Sequence, residues 1–182
     1  MSTLQAFVKA RIATVWLDGC SGCHMSFLDI DEVLLALAPR IEIVFGPLVD
    51  AQVFPPNVDV TFVEGAASNQ DDLKLLQKVR TNSKLVVSLG DCAVTANVPG
   101  MRNSIPVGKL LERVYVEGAD ASKITPTVGV PSLSRRAVPL HEVINVDVYV
   151  PGCPPKAAAI AQVVQQLLEG KKPKVDGLVK FG

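Results

Sequence analysis

Val15-Trp16-Leu17-Asp18-Gly19-Cys20-Ser21-Gly22-Cys23-His24-Met25-Ser26-Phe27 is an apolar run that breaks into a glycine-punctuated Cys-x-x-Cys. Upstream, Arg11 to Leu17 is almost unbroken in apolar character, the pattern of a parallel strand buried on both faces. Downstream, Phe27, Leu28, Ile30, Val33, Leu34, Leu35, Leu37 and Ala38 recur at helical spacing until Pro39, which predicts one helix. The two thiols therefore belong to a strand-to-helix turn, and such turns line the carboxyl edge of a doubly wound sheet, where these folds bind ligands.

The alternation continues along the chain. Ile41 to Phe45 and Val58 to Val63 read as strands, the latter closing on Glu64-Gly65-Ala66. Ser68-Asn69-Gln70-Asp71 has the form of a capping box before a helix that runs to about Arg80. Lys84 to Leu89 is a fourth strand that meets Gly90-Asp91-Cys92. Val143 to Val150 is a fifth that meets Pro151-Gly152-Cys153-Pro154-Pro155, and Ala157 to Leu168 is a last helix with Gly170 as its C-cap. The reading is an α/β, flavodoxin-like doubly wound parallel sheet with helices on both faces, one domain over residues 1–182. Between about 95 and 140, prolines and glycines break every periodic run except a short helix near Val107 to Val114. That stretch is read as a cover over the cysteine edge or a docking surface.

Composition narrows the chemistry. With 182 residues and 48% hydrophobic content the chain buries a real core, so its four cysteines are not required as staples. Met1 to Ala10 carries no export signal and no apolar run is long enough to span a membrane, so the protein is expected to be cytoplasmic, where thiols stay reduced. Eighteen basic residues balance eighteen acidic ones, which argues against nucleic acid or an anionic membrane as partner. Neither a P-loop nor a Gly-x-Gly-x-x-Gly turn is present.

All four cysteines lie in turns after predicted parallel strands, beside Gly19, Gly22, Gly90 and Gly152. In a doubly wound sheet those turns share one edge. Four thiolates suit tetrahedral zinc or an iron–sulfur cluster. One pair plus two singletons on an already well-cored domain favours a [4Fe–4S] cluster. A thioredoxin-like dithiol leaves Cys92 and Cys153 unexplained, and the plainest alternative is four unrelated thiols. His24 reads either as a contact for a partner subunit or as a helix-start residue satisfying local groups. Trp16 reads as a core aromatic, His141 as solvated, and Arg135-Arg136 and Lys171-Lys172 as solvated charge.

Gly19-Cys20-Ser21-Gly22-Cys23-His24-Met25-Ser26, Gly90-Asp91-Cys92-Ala93 and Pro151-Gly152-Cys153-Pro154-Pro155 together resemble the proximal-cluster motifs of [NiFe]-hydrogenase small subunits, nearest to those of soluble NAD-reducing enzymes. The resemblance spans Ile12 to about Leu168. It implies that Cys20, Cys23, Cys92 and Cys153 ligate one [4Fe–4S] cluster, with Glu64 as an acidic group beside it. It also implies a nickel–iron large subunit and diaphorase subunits binding flavin and NAD as partners. The flavodoxin-like edge admits FMN as well, although no flavin motif is legible. No cysteine follows Cys153, so the medial and distal clusters of uptake-type relatives have no ligands here. The related subunit of respiratory complex I has adjacent cysteines in its first motif, whereas this chain has Cys20-Ser21-Gly22-Cys23, which favours a hydrogenase.

Overall fold

The computed structural model describes residues 9–121, 123–175 and 177–181. Most of the Met1–Ala10 stretch read for an export signal lies outside them. Five parallel strands form the main sheet: β1 (Ala10–Trp16), β2 (Ile41–Phe45), β3 (Val58–Glu64), β5 (Ser83–Leu89) and β7 (Val148–Val150), in the order β2-β1-β3-β5-β7. Numbered among themselves these strands have the flavodoxin order, and the direction of winding switches between β1 and β3.

Both faces of the sheet are covered, which is why its strands carry continuous apolar runs rather than alternation. On one face Ile12, Phe62 and Val87 pack against Phe27 of α1 (Gly22–Leu28), Leu37 of α2 (Glu32–Leu37) and Ile160, Val163 and Val164 of α7 (Ala157–Leu168). On the other, Ala13, Val15, Val63 and Val86 meet Leu76 and Val79 of α3 (Gln70–Asn82), with Leu140 and Ile144 beside them. Phe27 and Phe62 are fully buried with ring centroids 5.6 Å apart. Each contributes about 1.5–3 kcal/mol by burial alone.

Several boundaries differ from the sequence reading. The single helix expected through Pro39 is two, because Asp31 adopts φ 46° and the chain restarts as α2. The cap of α3 is Asn69, whose side chain accepts from the N–H groups of Asp71 and Asp72 while the Asp72 carboxylate accepts from Asn69 N–H. The box is therefore shifted by one residue from the Ser68 frame. The fifth strand is three residues long rather than eight, because Leu140–Glu142 forms a 3-10 turn and Ile144 turns into the core. Trp16 is not a core residue: at the end of β1 it is 47% exposed.

The 95–140 stretch is more ordered than its prolines suggest. A short helix α4 (Asp91–Thr95) leads to α5 (Asn97–Gly100), a 3-10 turn (Met101–Ser104) and α6 (Val107–Glu112), which continues as a π turn to Glu117. The chain returns as β6 (Leu133–Val138), antiparallel to β4 (Ala67–Asn69) just past the end of β3. In β6 only Ala137 is buried, so no apolar alternation marked it as a strand.

At the amino edge Asp59 ties β1, β3 and β5 together, accepting from Arg11 N–H at 2.8 Å and pairing with Lys84 Nζ at 2.7 Å. Partial burial pushes its carboxyl up, but the Lys84 and Arg11 hydrogen bonds and charges outweigh this and hold it below the ordinary 3.8. A depressed native pKa gives stability that is complete above the unfolded value and is lost as pH falls through the native one. Asp59→Asn should therefore cost about 0.5–1 kcal/mol at neutral pH. That gap should close by about pH 2–3 in urea titrations, and a gap that persists there would contradict the assignment. Among the described residues, no helix is long and apolar enough to cross a membrane.

Candidate metal centre

Beyond β1 the backbone stays paired: Leu17 N–H donates to Glu64 O at 3.0 Å, and Asp18 and Ala66 exchange bonds at 3.2 and 2.8 Å. This ladder carries Gly19 and Cys20 over the carboxyl edge. Ser21, between the two cysteines of the pair, caps α1 with φ 63°, so Cys20 and Cys23 are presented from a tight left-handed bend. Ser26 Oγ on α1 donates to Pro155 O at 2.5 Å and fixes the first turn against the last.

The second and third turns are clamped to one another. Gly90 N–H donates to Val150 O at 2.8 Å, Asp91 N–H to Gly152 O at 2.9 Å, and Gly152 N–H to Asp91 Oδ1 at 2.6 Å. Gly90 has φ 83° and ψ 162°, a region essentially reserved for glycine, and a Cβ there would stand 2.1 Å from Cys23 Sγ. Gly152, at φ 139°, would place a Cβ 2.6 Å from Pro155 Cα. Both positions let backbone approach sulfur and proline more closely than any side chain permits.

Cys20, Cys23, Cys92 and Cys153 line one cavity of about 90 Å³, with Gly19, Gly22, Glu64, Asp91 and Gly152 in its wall. Cys20 and Cys153 are exposed, whereas Cys23 and Cys92 are half-buried. Burial, then the charge of Glu64, then the other three thiols push Cys23 up to about 12. Burial raises Cys92 too, against a hydrogen bond from Val98 N–H, and the charges of Cys153, Cys20 and Asp91 add to the rise. Glu64 is 3% exposed; burial raises its carboxyl, opposed by His24 N–H, which donates to Oε2 at 2.5 Å. Its Oε1 is buried and has no hydrogen-bond partner among the described residues. So many acidic groups in one place cannot all ionise unaided; a cationic group replacing the thiol protons relieves that repulsion.

The donor set fits an iron–sulfur group. Thiols from three turns surround space for several atoms, since one water needs only about 10–15 Å³. Among the described residues no group of three or more His, Cys, Asp or Glu is arranged to hold a lone metal ion. His24 is buried, its ring 6.4 Å from that of Trp16 and nearly parallel, and burial lowers its pKa. His141 is exposed, edge-on to Tyr149. The sequence reading named Asp91 only as part of Gly90-Asp91-Cys92; its place there, opening a helix after a strand, was the available signal for a clamp. Ser26 entered the sequence reading only as the last residue of the first motif, with no role assigned.

The family model for the NADH ubiquinone oxidoreductase 20 Kd subunit matches residues 20–167. This chain belongs to that family. The 20 Kd subunit family model thus covers all three cysteine turns. The chain is 36% identical over 168 residues to the delta subunit of the NAD-reducing hydrogenase HoxS of Cupriavidus necator, covering 90% of this chain and 80% of that protein. It is also 36% identical over 170 residues to a subunit of the F420-non-reducing hydrogenase vhu of Methanocaldococcus jannaschii. There the match covers 92% of this chain but 59% of the relative, so this chain spans little more than half of that longer protein. Among solved structures, a chain of an NAD+-reducing [NiFe]-hydrogenase in the H2-reduced state superposes with a TM-score of 0.91 at 34% identity, over 96% of this chain and 100% of that one.

Proposed function

We propose that this chain is the electron-transfer small subunit of an NAD-reducing [NiFe]-hydrogenase and holds one [4Fe–4S] cluster on Cys20, Cys23, Cys92 and Cys153. The observation that carries the reading is four thiols from three separate turns lining one cavity, in a chain that matches a subunit of such an enzyme along its whole length. When bound, the cluster supplies a one-electron store whose potential its surroundings set.

The chain's own residues supply those surroundings. Cys23 and Cys92, raised as free thiols, surrender their protons to ligation. Val98 N–H, aimed at the Cys92 sulfur, favours its anionic form, while Glu64 and Asp91 add negative charge that opposes further reduction. Gly19, Gly22 and Gly152 keep the cavity wall free of side chains, and Gly90 leaves room for Cys23 Sγ behind it. The chain has two histidines and four cysteines, all four committed to this site, so the nickel–iron centre belongs to a partner large subunit. The cavity supports a compact inorganic group, with flavin and NAD assigned to diaphorase subunits. A reducing cytoplasm is the setting in which free thiols can assemble such a site.

The test is anaerobic purification with the natural partners, followed by iron, sulfide and nickel analysis and a hydrogen-dependent NAD⁺ reduction assay. About four iron and four sulfide per chain are expected, with nickel in a copurifying subunit. One zinc per chain without sulfide, or copurification with a membrane quinone reductase and no nickel, would overturn the reading.

A further inference from the structure

Ala96 ends α4 with φ 64° and ψ 0°, and the chain passes straight into α5. Four described residues other than glycine have positive φ: Ser21, Asp31, Asn57 and Ala96. The first three carry short polar side chains of the kind that offset this conformation by bonding to nearby backbone, and alanine has none. Such a residue persists where its surroundings over-determine it. Ala96 is 4% exposed and packs with Ala66 and Ala137, both fully buried.

Those neighbours tie the bend to the rest of the site. Ala66 exchanges backbone bonds with Asp18, two residues before Cys20. Ala137 exchanges two bonds of 2.8 Å with the Asn103 side chain, just beyond α5. Within the bend Ala96 N–H donates to Cys92 O at 3.0 Å, Thr95 Oγ1 to Asp91 O at 2.9 Å, and Gly100 N–H to Ala96 O at 2.7 Å. A Cβ at Gly100 would stand 3.3 Å from that of Ala96, so α5 lies close against the bend. The turn at Ala96 brings Val98 N–H back to the residue that opened it, where it donates to the Cys92 sulfur. Cys92 is thus held through its carbonyl and its sulfur by one bend. The Val98 side chain is 60% exposed, so what this residue brings to the site is its amide.

We infer that Ala96 is a positioning residue, whose left-handed bend between Ala66 and Ala137 fixes Val98 N–H on the Cys92 sulfur, and that this amide raises the reduction potential of the group bound there. This rests on the iron–sulfur reading above. The positive end of the amide dipole faces the sulfur, which favours the state carrying the extra electron. Cys92 alone among the four thiols is served by this bend.

Val98→Pro tests it in the full chain reconstituted anaerobically with iron and sulfide and titrated by electron paramagnetic resonance. Proline has no N–H yet fits the first turn of a helix. At the wild-type midpoint the reduced-to-oxidised ratio should fall about tenfold, or about 59 mV for one electron. Iron and sulfide per chain should stay at the wild-type level. Val98→Ala keeps the amide and should titrate like wild type, as should Ala96→Gly, which accepts φ 64° freely. Ala96→Val places a β-branched residue at positive φ and should lower the ratio as Val98→Pro does. An unchanged ratio in Val98→Pro overturns the inference, as does an equal fall in Val98→Ala or Ala96→Gly. If Val98→Pro takes up no iron, Ala96→Val decides, and a wild-type ratio there overturns it. Loss of iron from both, with the two conservative variants loaded, overturns it too, since the amide is assigned to tuning the group and not to holding it. If the wild-type chain takes up no iron and sulfide, the cluster reading fails and this inference falls with it. A failure confined to the variants leaves that reading standing.

Discussion

Gly90→Ala is expected to remove the metal-binding capacity of the chain while leaving its sheet intact. The backbone at this residue, φ 83° and ψ 162°, costs a non-glycine residue about 1–3 kcal/mol. That alone a well-cored domain survives. The second effect is local and larger: the new methyl would stand 2.1 Å from Cys23 Sγ, and the sulfur must swing away from the cavity it shares with the other three thiols. Circular dichroism should be unchanged and the urea midpoint modestly lower. Iron and sulfide per chain after anaerobic reconstitution should fall to a small fraction of the wild-type value. Gly129→Ala separates the two effects, because its φ is +75° but nothing lies within 4 Å of the added methyl. If both variants retained iron equally, the steric account of Gly90 would be wrong.

The sheet was readable because its strands are buried on both faces and announce themselves as short apolar runs. The carboxyl-edge placement of the cysteines followed from each run ending in a glycine and a thiol. What escaped the sequence was decided by tertiary partners. The stretch from Phe27 to Ala38 keeps helical spacing through Ile30, so nothing local reveals that Asp31 breaks it. Trp16 has the composition of a core residue, but it lies at the tip of β1, where its ring stacks near His24 and leaves nearly half its surface open. β6 is a strand because β4 offers it a partner, not because Leu-Ser-Arg-Arg-Ala-Val alternates. At the site the four thiols were legible as a set, whereas the bonds that aim them, Ser26 to Pro155 and Asp91 to Gly152, join residues 129 and 61 positions apart.

The last of those bonds carries the second large effect. Asp91 is buried, its Oδ1 accepts Gly152 N–H at 2.6 Å, and its own N–H donates to Gly152 O at 2.9 Å, so one residue holds the Cys92 turn against the Cys153 turn from both sides. In Asp91→Ala the backbone bond remains, but Gly152 N–H is left unpaired in a buried position, a cost of about 1–3 kcal/mol. The consequence for the site exceeds that for the fold, since Cys153 follows Gly152 directly and the third turn loses its register with the second. Outer-shell partners of metal ligands typically govern affinity by about 10–100-fold, and a loss of that order is expected when iron retention is measured against a chelator. Asp91→Asn provides the discriminating comparison: its amide oxygen can still accept from Gly152 N–H while the negative charge is gone. If positioning is the role, Asn restores iron retention and shifts the reduction potential of the bound group upward. If Asn and Ala lose iron alike, the carboxylate acts through its charge, and the clamp is not what aligns Cys153.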